Sequence, residues 1–389
     1  MHTFKYFTIS SEKKQQSLPP AIKWSILICI KFYGEDFYET TKIHQIHSVA
    51  HNASLPYCIT FLWLLCQFRE NIQNGIYFDT MITVTLYGTR DEKILDDCFS
   101  LAGNYEKKLS NTITDSEVSK INEANGQFVT VSSDTLSLIK DGIRYGKISD
   151  GSFDITIGTL SDLWNFSEIA ETAKSDENEV DASVVPSPEQ IEAALAHVNY
   201  KNIEIKGNQV RLKDPQAKID LGGIAKGFIA DEMRSFLNKK GITSGVISLG
   251  GNVLTLGKKA DHSSYTIGIQ KPFSETGTSL GTLNVSDASV VSSGIYERYY
   301  RVNGKLYHHI LDTSTGYPVE NHLYQVTIIS DISMDGDALS TTCFSLGLKK
   351  GMQLVEQTDG VEAIFVSDDG TITCSSGINR DDSIQFHAS

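Results

Sequence analysis

The sequence predicts an α+β fold, and three observations lead to this class. Residues 200–214 and 298–310 each alternate apolar and polar residues on both sides of a short turn, the pattern of a β-hairpin. Other stretches carry apolar residues at helical spacing behind a residue that can cap a helix. Helices and hairpins follow one another without a regular strand–helix–strand repeat, which favours α+β over a doubly wound parallel sheet.

The start of the chain differs from the rest, so we predict an N-terminal segment, residues 1–74, and a folded domain, residues 75–389. The segment holds two apolar stretches, "IKWSILICIKFY" and "YCITFLWLLC", each about half the roughly 20 residues that a membrane-spanning helix needs. The second ends at Cys66 and a polar stretch comes next, which is the order of a lipoprotein signal and its tether. We therefore expect a lipid-anchored or secreted protein on the extracytoplasmic face of the membrane. Because this signal lies far from Met1 and Leu precedes Cys66, a non-native extension is the alternative.

The first half of the domain is predicted to be mainly helical after one strand. "IYFDTMITVTLYG" alternates like a single strand that ends at Gly88. "TDSEVSKINEANG" predicts a short helix with Thr114 and Asp115 as N-cap candidates, and "SSDTLSLIKDGIRYGKIS" predicts a longer one. "SPEQIEAALAHV" combines Ser187 as cap, Pro188 at the first helical position and Gln190 completing a capping box.

The second half mixes hairpins and helices. In "RYYRVNGKLYHHI", Asn303 and Gly304 form a typical two-residue hairpin turn. The acidic stretch "ETAKSDENEVDASVV", which precedes the Ser187 helix, is interpreted as a surface loop or insertion. Together these patterns predict one large domain of mixed helices and antiparallel sheet.

Composition excludes some classes of function. The formal net charge of −14 over 389 residues argues against nucleic acid as the main partner, because no general basic surface replaces the phosphate counterions. The six cysteines show no zinc-binding spacing and are too few for a disulfide framework. Cys343 and Cys374 lie in apolar stretches and are interpreted as buried thiols.

The stretch "KIDLGGIAKGFIADEMRSFLNKKG" indicates an anion site. A short strand ends at Asp220, two glycines come next and a helix begins, so that free N–H groups and the helix dipole can face a phosphate. A tight turn explains the glycine pair equally well. Lys226 in the first turn opposes the helix dipole, and a bound anion would account for it. The phosphate-loop pattern GxxxxGK[ST] is absent.

Two further stretches contain candidate site residues. "DGSFDITIGTLSDLW" places Phe153 and Asp154 after a glycine turn, which also fits a loop with an apolar anchor. His308 and His309 must point to opposite faces of a strand, so at most one is expected to serve a site. The aromatic residues around them can stack on a planar ligand or pack the hairpin.

"MDGDALSTTCFSLG" predicts a helix with unusually many polar residues at its start. Leu339, Cys343 and Leu346 form one apolar stripe, and Asp335 is interpreted as the helix cap. Asp337 and Thr341 stand four residues apart, side by side, and can share a Mg²⁺ ion if a phosphate completes its shell. The residues alone therefore favour a phosphorylated aromatic ligand without specifying a reaction.

Taken together and in this order, these stretches resemble the ApbE family, the FAD:protein FMN transferases. The motifs that carry the resemblance are "GSFDITIGTLSDLW", "IDLGGIAKGFIAD", "VISLGGNV", "SSGIYERYY", "HHILDTSTGYP" and "DALST". The resemblance covers roughly residues 76–385. It implies an ApbE-like (T-fold-like) α+β domain that binds FAD as substrate and Mg²⁺, and that moves FMN onto a Ser or Thr of an acceptor flavoprotein subunit with release of AMP.

The resemblance also implies a role for individual residues. His309 matches the histidine of the family's HIxD motif and is the expected catalytic base. Asp337, Thr341 and the backbone carbonyl of Gly223 match metal ligands. The residues that match contacts to the flavin nucleotide, or that are expected to flank it, are Phe78, Ser152, Phe153, Asp154, Asp220, Lys226 and Ile310.

Three positions depart from the family pattern. Thr159 and Thr313 stand where the family usually has Pro, and Ile295 replaces a common Asp. None is a predicted ligand, so the departures concern loop shape more than chemistry. Two other functions stay open at this point: an FAD pyrophosphatase, in which water replaces the acceptor hydroxyl, and a non-catalytic flavin-binding lipoprotein.

Overall fold

The computed structural model describes residues 70–89, 91–172 and 179–389. Its strands in chain order are β1 Glu70–Tyr77, β2 Thr80–Tyr87, β3 Val129–Thr130, β4 Ile203–Lys206, β5 Gln209–Leu212, β6 Ser244–Leu249, β7 Asn252–Gly257, β8 Tyr265–Gln270, β9 Ser279–Val285, β10 Ser289–Gly294, β11 Tyr299–Val302, β12 Lys305–His308, β13 Leu323–Ser330, β14 Val361–Ser367, β15 Ile372–Cys374 and β16 Gln385–Ala388. Its α-helices are α1 Glu92–Leu109, α2 Glu117–Glu123, α3 Ser133–Ile148, α4 Gly158–Trp164, α5 Phe166–Thr172, α6 Pro188–Leu195, α7 Ala225–Lys239 and α8 Ser333–Glu356.

An eight-stranded antiparallel sheet forms the centre of the domain, in the order β1-β2-β6-β7-β10-β13-β14-β15. Alternate residues of β2, namely Ile82, Val84 and Leu86, are fully buried, as the period of two predicts for a strand with one face on the core. The α+β class predicted from the sequence is confirmed.

Each face of the sheet is covered by a different layer. Helices α1, α7 and α8 pack on one face, where Ile328 and Phe365 belong to the main core. A smaller sheet, in the order β16-β9-β8, covers the opposite face, where Ile329 and Ile364 pack with Leu283. Neighbouring residues of β13 and β14 point to opposite cores, because successive side chains of a strand lie on opposite faces of the sheet.

A satellite core carries the hairpin β11–β12. Trp164 is fully buried and its Nε1 donates a hydrogen bond to the carbonyl of Gly316 over 2.8 Å. Phe166 stacks on both Trp164 and Tyr300, and Tyr300 stacks on Tyr307. Tyr300 and Tyr307 therefore pack the hairpin, which is one of the two roles the sequence left open for these aromatics.

Several elements agree with the local signals in the sequence. Ser187 and Gln190 form the predicted capping box of α6. Asn303 and Gly304 both have positive φ, 52° and 79°, at the turn between β11 and β12, as the Asn-Gly pair predicts. For α2 the cap is Ser116, which accepts from the Ser119 amide, rather than Thr114 or Asp115.

The predicted single strand over residues 76–88 is wrong, because the chain turns back at Phe78 and Asp79. Both residues have left-handed φ, 52° and 53°, and join β1 to β2 as a tight hairpin. The Phe78 amide donates to Glu106 Oε1 of α1 over 2.6 Å, so a tertiary contact stabilises a turn of unusual composition. Strand β1 begins at Glu70, ahead of the boundary predicted at residue 75.

Helix α8 is interrupted once. Gly347 has φ 76° and ψ 170°, which is not helical, and the Asn321 side-chain amide donates to the carbonyl of Phe344 just before the break. Leu339 and Cys343 are buried as predicted, whereas Leu346 is only half-buried at the break. Cys374, predicted to be buried, is likewise half-buried.

The predicted lipoprotein-like signal, including Cys66, lies outside the described residues, as does most of the acidic stretch before Glu179. The polar stretch expected to tether it forms strand β1 from Glu70 onward. Within the described part of the chain, we find no helix that combines the length and the hydropathy needed to cross a membrane.

Candidate active site

The candidate site lies where the N-termini of α7 and α8 meet. A Cβ atom placed on Gly227 of α7 would lie 2.3 Å from the Ser333 carbonyl oxygen and 2.7 Å from the Met334 Cα of α8. Such distances are far inside van der Waals contact, so only glycine permits this approach of the two backbones.

Each of the two helices provides a carboxylate that accepts hydrogen bonds from the first amides of the other. Asp231 of α7 accepts hydrogen bonds from the amides of Ser333 (3.1 Å) and Met334 (2.9 Å), which open α8. In return, Asp337 Oδ2 of α8 accepts from the Gly227 amide of α7 over 2.9 Å. Each helix therefore supplies the N-terminal cap that the other lacks, since neither has a capping side chain of its own.

The prediction that Asp335 caps α8 is therefore wrong. Its carboxylate accepts from Arg144 (2.8 Å) and from the Tyr145 hydroxyl (2.5 Å) of α3. Burial raises the pKa of Tyr145 well above its usual value, and the neighbouring Asp335 carboxylate adds to the rise, so the hydroxyl remains a donor. Asp335 ties α8 to α3.

Thr341 of α8 lies beside Gly223, one helical turn from Asp337, and the metal-ligand role predicted for the three residues stays a prediction. Asp337 is 4% exposed, and a Cβ atom on Gly223 would lie 3.8 Å from Thr341 Oγ1. Ser293 of β10 adds a second hydroxyl 3.3 Å from Thr341 Oγ1. Ser293 is not among the predicted site residues, although it lies in the motif "SSGIYERYY".

This group of atoms suits a hard cation. Carboxylate, hydroxyl and backbone carbonyl oxygens are the ligands that Mg²⁺ prefers. In the described residues no cluster of three or more His, Cys, Asp or Glu could hold a metal ion, so an ion here would need oxygen atoms from a ligand or from water as well. The donor set fits a magnesium ion shared with a phosphate.

Lys226 is the main positive charge at the start of α7. Its Nζ lies 3.9 Å from Asp337 Oδ1 and donates to the Gly222 carbonyl over 2.8 Å. The amide of Gly222 is bound by Asp220 Oδ1, and those of Ile224 and Ala225 by the Leu221 carbonyl. These three amides already have protein acceptors, and the anion site that the sequence indicated at this helix start stays a prediction.

The two adjacent histidines take different roles. His308 is buried, with Nε2 3.0 Å from the Val319 carbonyl and Nδ1 accepting from the Ile310 amide, so it is part of the core. Burial lowers the pKa of His308 to about 4.

His309 is only half-buried, and its Nδ1 lies 3.2 Å from the Arg298 carbonyl. A carbonyl can only accept, so Nδ1 carries the proton and Nε2 is left with a free lone pair. Desolvation lowers the pKa of His309 to about 3, with further lowering from the charges of Arg298 and Lys226. His309 is thus neutral at pH 7 and lies within electrostatic range of Lys226.

Phe153 and Asp154 support the site from behind. The Phe153 ring is buried against Gly223, where an added Cβ would lie 3.1 Å from it. The Asp154 carboxylate is buried and accepts from the Thr156 amide, the Thr156 hydroxyl and the Tyr200 amide. Burial raises the pKa of Asp154, and these hydrogen bonds oppose the rise. Its carboxylate organises loops, and the predicted contact with the nucleotide stays a prediction.

The structure places the three other predicted contacts in a separate cavity or in or against the main core. Ser152 lines a separate cavity of about 330 Å³ between the end of α3 and the second part of α8. Ile310 is buried in the main core, and Phe78 packs against the same core from the β1–β2 turn. Their predicted places beside the flavin are not tested by these contacts.

The three residues that depart from the family pattern make local hydrogen bonds or pack in the core. Thr159 Oγ1 donates to the Ala194 carbonyl over 3.1 Å, and Thr313 Oγ1 donates to the Gly151 carbonyl over 2.7 Å. Ile295 is buried, 6% exposed, in the main core. The bond from Thr313 joins the loop after His309 to the loop that carries Phe153.

Comparison with known proteins places this architecture in a class. The ApbE family model matches residues 78–365. An FAD:protein FMN transferase from Klebsiella pneumoniae (strain 342) is 36% identical over 306 residues, covering 78% of this chain and 91% of the relative. Among solved structures, the ApbE protein of Thermotoga maritima superposes with TM-score 0.70 at 31% identity over 79% of this chain and 98% of that one. The flavin transferase ApbE from Vibrio cholerae gives TM-score 0.68 at 26% identity over 79% and 97%.

The fold and the oxygen-rich site between two helix starts thus define a transferase of the flavin-transferase class. The chain belongs to the ApbE family. The resemblance stated from the sequence motifs is confirmed.

Proposed function

We propose that this chain is a magnesium-dependent FAD:protein FMN transferase. It would take FAD as substrate, attach FMN through a phosphoester to a Ser or Thr hydroxyl of an acceptor flavoprotein subunit, and release AMP. The observation that supports the proposal is the Asp337 carboxylate 3.9 Å from Lys226, with the Thr341 hydroxyl beside Gly223 and the neutral His309 within electrostatic range of Lys226.

In the proposed reaction, His309 acts as the base. Its free Nε2 would take the proton of the acceptor hydroxyl as that oxygen bonds to the FMN phosphorus. The bond from that phosphorus to the bridging oxygen of the pyrophosphate breaks, and the electron pair leaves with AMP. Because desolvation and the charge of Arg298 lower the pKa of His309, the imidazole is unprotonated at neutral pH. The negative charge of a bound pyrophosphate would raise its basicity.

The charges of the site have a separate role. Asp337, Thr341 and the Gly223 carbonyl would hold Mg²⁺, which when bound offsets the charge on the pyrophosphate oxygens. Lys226 would leave the Gly222 carbonyl, where it now donates, and pair with the departing phosphate. Phe153, packed against Gly223, keeps the loop that carries this carbonyl in place.

Transfer and hydrolysis are separated by one experiment. The full chain is incubated with FAD, Mg²⁺ and a candidate acceptor subunit, and both AMP and acceptor-bound flavin are measured. Equal amounts of AMP and covalent flavin support transfer, whereas AMP with free FMN only would mean that the chain is an FAD pyrophosphatase. If no AMP forms with Mg²⁺ or Mn²⁺, both enzymatic functions are refuted and a flavin-binding lipoprotein remains.

We also propose that the chain is lipid-anchored at the extracytoplasmic face of the membrane. The support is the apolar stretch that ends at Cys66; of the polar stretch after it, the residues from Glu70 onward form β1. Metabolic labelling with a radioactive fatty acid, compared between the wild type and Cys66→Ala, tests this. An equal lipid signal in both would overturn it.

A further inference from the structure

Two elements carry the atoms of the proposed metal site, so their relative position must be kept fixed. Asp337 and Thr341 lie on α8, whereas Gly223 lies in the turn that leads into α7. Oxygen–metal distances tolerate errors of only a few tenths of an ångström, so whatever fixes α8 against α7 also fixes the site.

Besides the tie of Asp335 to α3, the start of α8 has two further anchors. One leads to the central sheet: the Ser333 hydroxyl donates to Asn252 Oδ1 over 3.0 Å and accepts from Ser289 over 2.9 Å. The other leads to α7: the Asp231 carboxylate binds the first two amides of α8. Only the second anchor joins the two elements that carry the metal ligands.

The anchor through Asp231 is also coupled to Asp337. Gly227 and Asp231 are four residues apart on α7, and Ser333 and Asp337 are four apart on α8, one helical turn in each case. The two carboxylate–amide contacts therefore close a ring of two helical turns, with Gly227 at its tightest point. Arg234 donates to Asp231 over 2.7 Å and to the Asp331 carbonyl over 2.8 Å, which steadies the ring from outside.

From this geometry we infer that Asp231 is a positioning residue for the metal site: it acts through Asp337, by setting α8 against the Gly223 turn. The inference rests on the proposed function, because the site must bind a divalent ion. If Asp231 loses its charge and one carboxylate oxygen, one of the first two amides of α8 loses its acceptor, the ring loosens, and Asp337 and Thr341 are held less firmly against the start of α7 and the Gly223 turn. Outer groups that orient metal ligands typically change metal affinity by about 10- to 100-fold when mutated.

The test compares Asp231→Asn with Ser333→Ala. Both weaken the first turn of α8, but only the first weakens its link to α7. Binding of Mn²⁺ to the FAD-loaded protein is monitored by the loss of the free-ion electron paramagnetic resonance signal, so that no turnover is required. We expect affinity to fall by about 10- to 100-fold in Asp231→Asn and to stay at the wild-type value in Ser333→Ala.

Two more measurements keep the test decisive. In metal-free protein, hydrogen exchange of the Gly227 amide should accelerate in Asp231→Asn but not in Ser333→Ala, because Asp337 loosens its hold only in the former. If Asp231→Asn does not fold, Arg234→Gln should weaken Mn²⁺ binding in the same direction and by less. Equal Mn²⁺ affinity in wild type and Asp231→Asn, or equal losses in both variants, overturns the positioning role. A wild type that binds no Mn²⁺ with FAD refutes the metal site itself, and with it this role.

Discussion

Replacing Asp337 by Asn and by Ala separates two roles that one carboxylate combines. Oδ2 caps α7 through the Gly227 amide at 2.9 Å, while Oδ1 faces Lys226 at 3.9 Å. Asn keeps an oxygen that can accept from Gly227 but loses the charge, whereas Ala loses both. In Ala, a buried amide is left without an acceptor, which costs about 1–3 kcal/mol of folding free energy. The contact with the partly exposed Lys226 adds at most about 1 kcal/mol.

We therefore expect Asp337→Ala to lower the free energy of unfolding by about 1–3 kcal/mol in urea with metal chelated, and Asp337→Asn to lower it by less. Turnover of FAD should fall in both variants on the order of 10³-fold, since a catalytic ion contributes several kcal/mol. AMP release measured across a Mg²⁺ titration checks the second point. If Asp337→Asn retains wild-type Mg²⁺ dependence, Asp337 is not a metal ligand, and if Ala is as stable as Asn, the capping role is wrong.

Three other changes give distinct outcomes. His309→Gln should leave the dissociation constant of FAD unchanged and slow flavin transfer by about 10²- to 10⁴-fold, and weaker FAD binding would instead make His309 a ligand contact. His308 takes up a proton near pH 6.5 in the unfolded state but only near pH 4 in the folded state, so the free energy of unfolding falls as the pH drops through this range. Urea unfolding should show a loss approaching about 3 kcal/mol at pH 4, and His308→Asn should remove this loss. The same pH dependence of stability in wild type and His308→Asn would contradict the assignment. Gly227→Ala should lower the free energy of unfolding by about 1–3 kcal/mol, because its Cβ would lie 2.3 Å from the Ser333 carbonyl oxygen. Calorimetry measures this loss, and wild-type stability would show that α8 can move away from α7 at no cost.

Elements with local signals could be predicted from the sequence, and those held by distant contacts could not. The capping box at Ser187 and the turn at Asn303 depend on residues at most three positions away. The turn at Phe78 has no such signal, since its support comes from Glu106 on α1. The cap of α8 comes from Asp231, about one hundred positions earlier in the chain, whereas the carboxylate nearest the helix start in sequence is that of Asp335.

The site was predictable to a similar extent. Asp337, Thr341 and Gly223 were proposed as one site because the order of motifs carried the family resemblance, and the structure does place Thr341 beside Gly223; their role as metal ligands stays a prediction. The same motifs do not show that the Asp154 carboxylate accepts from the Thr156 and Tyr200 amides and so supports a loop, whatever its contact with a ligand. Ser293 and Asp231 lie inside the family motifs but contribute through contacts that only the three-dimensional structure brings together.

The break at Gly347 determines how tolerant the chain is to changes in length. In a continuous helix each inserted residue rotates the remainder of the helix by about 100°, so a change at one end competes with packing at the other. Gly347 interrupts this rotation between the part of α8 that carries Asp337 and the part that ends at Glu356. Insertions and deletions after the break can therefore be absorbed by the second part alone, and we expect relatives to differ in length there while keeping the same spacing of site atoms.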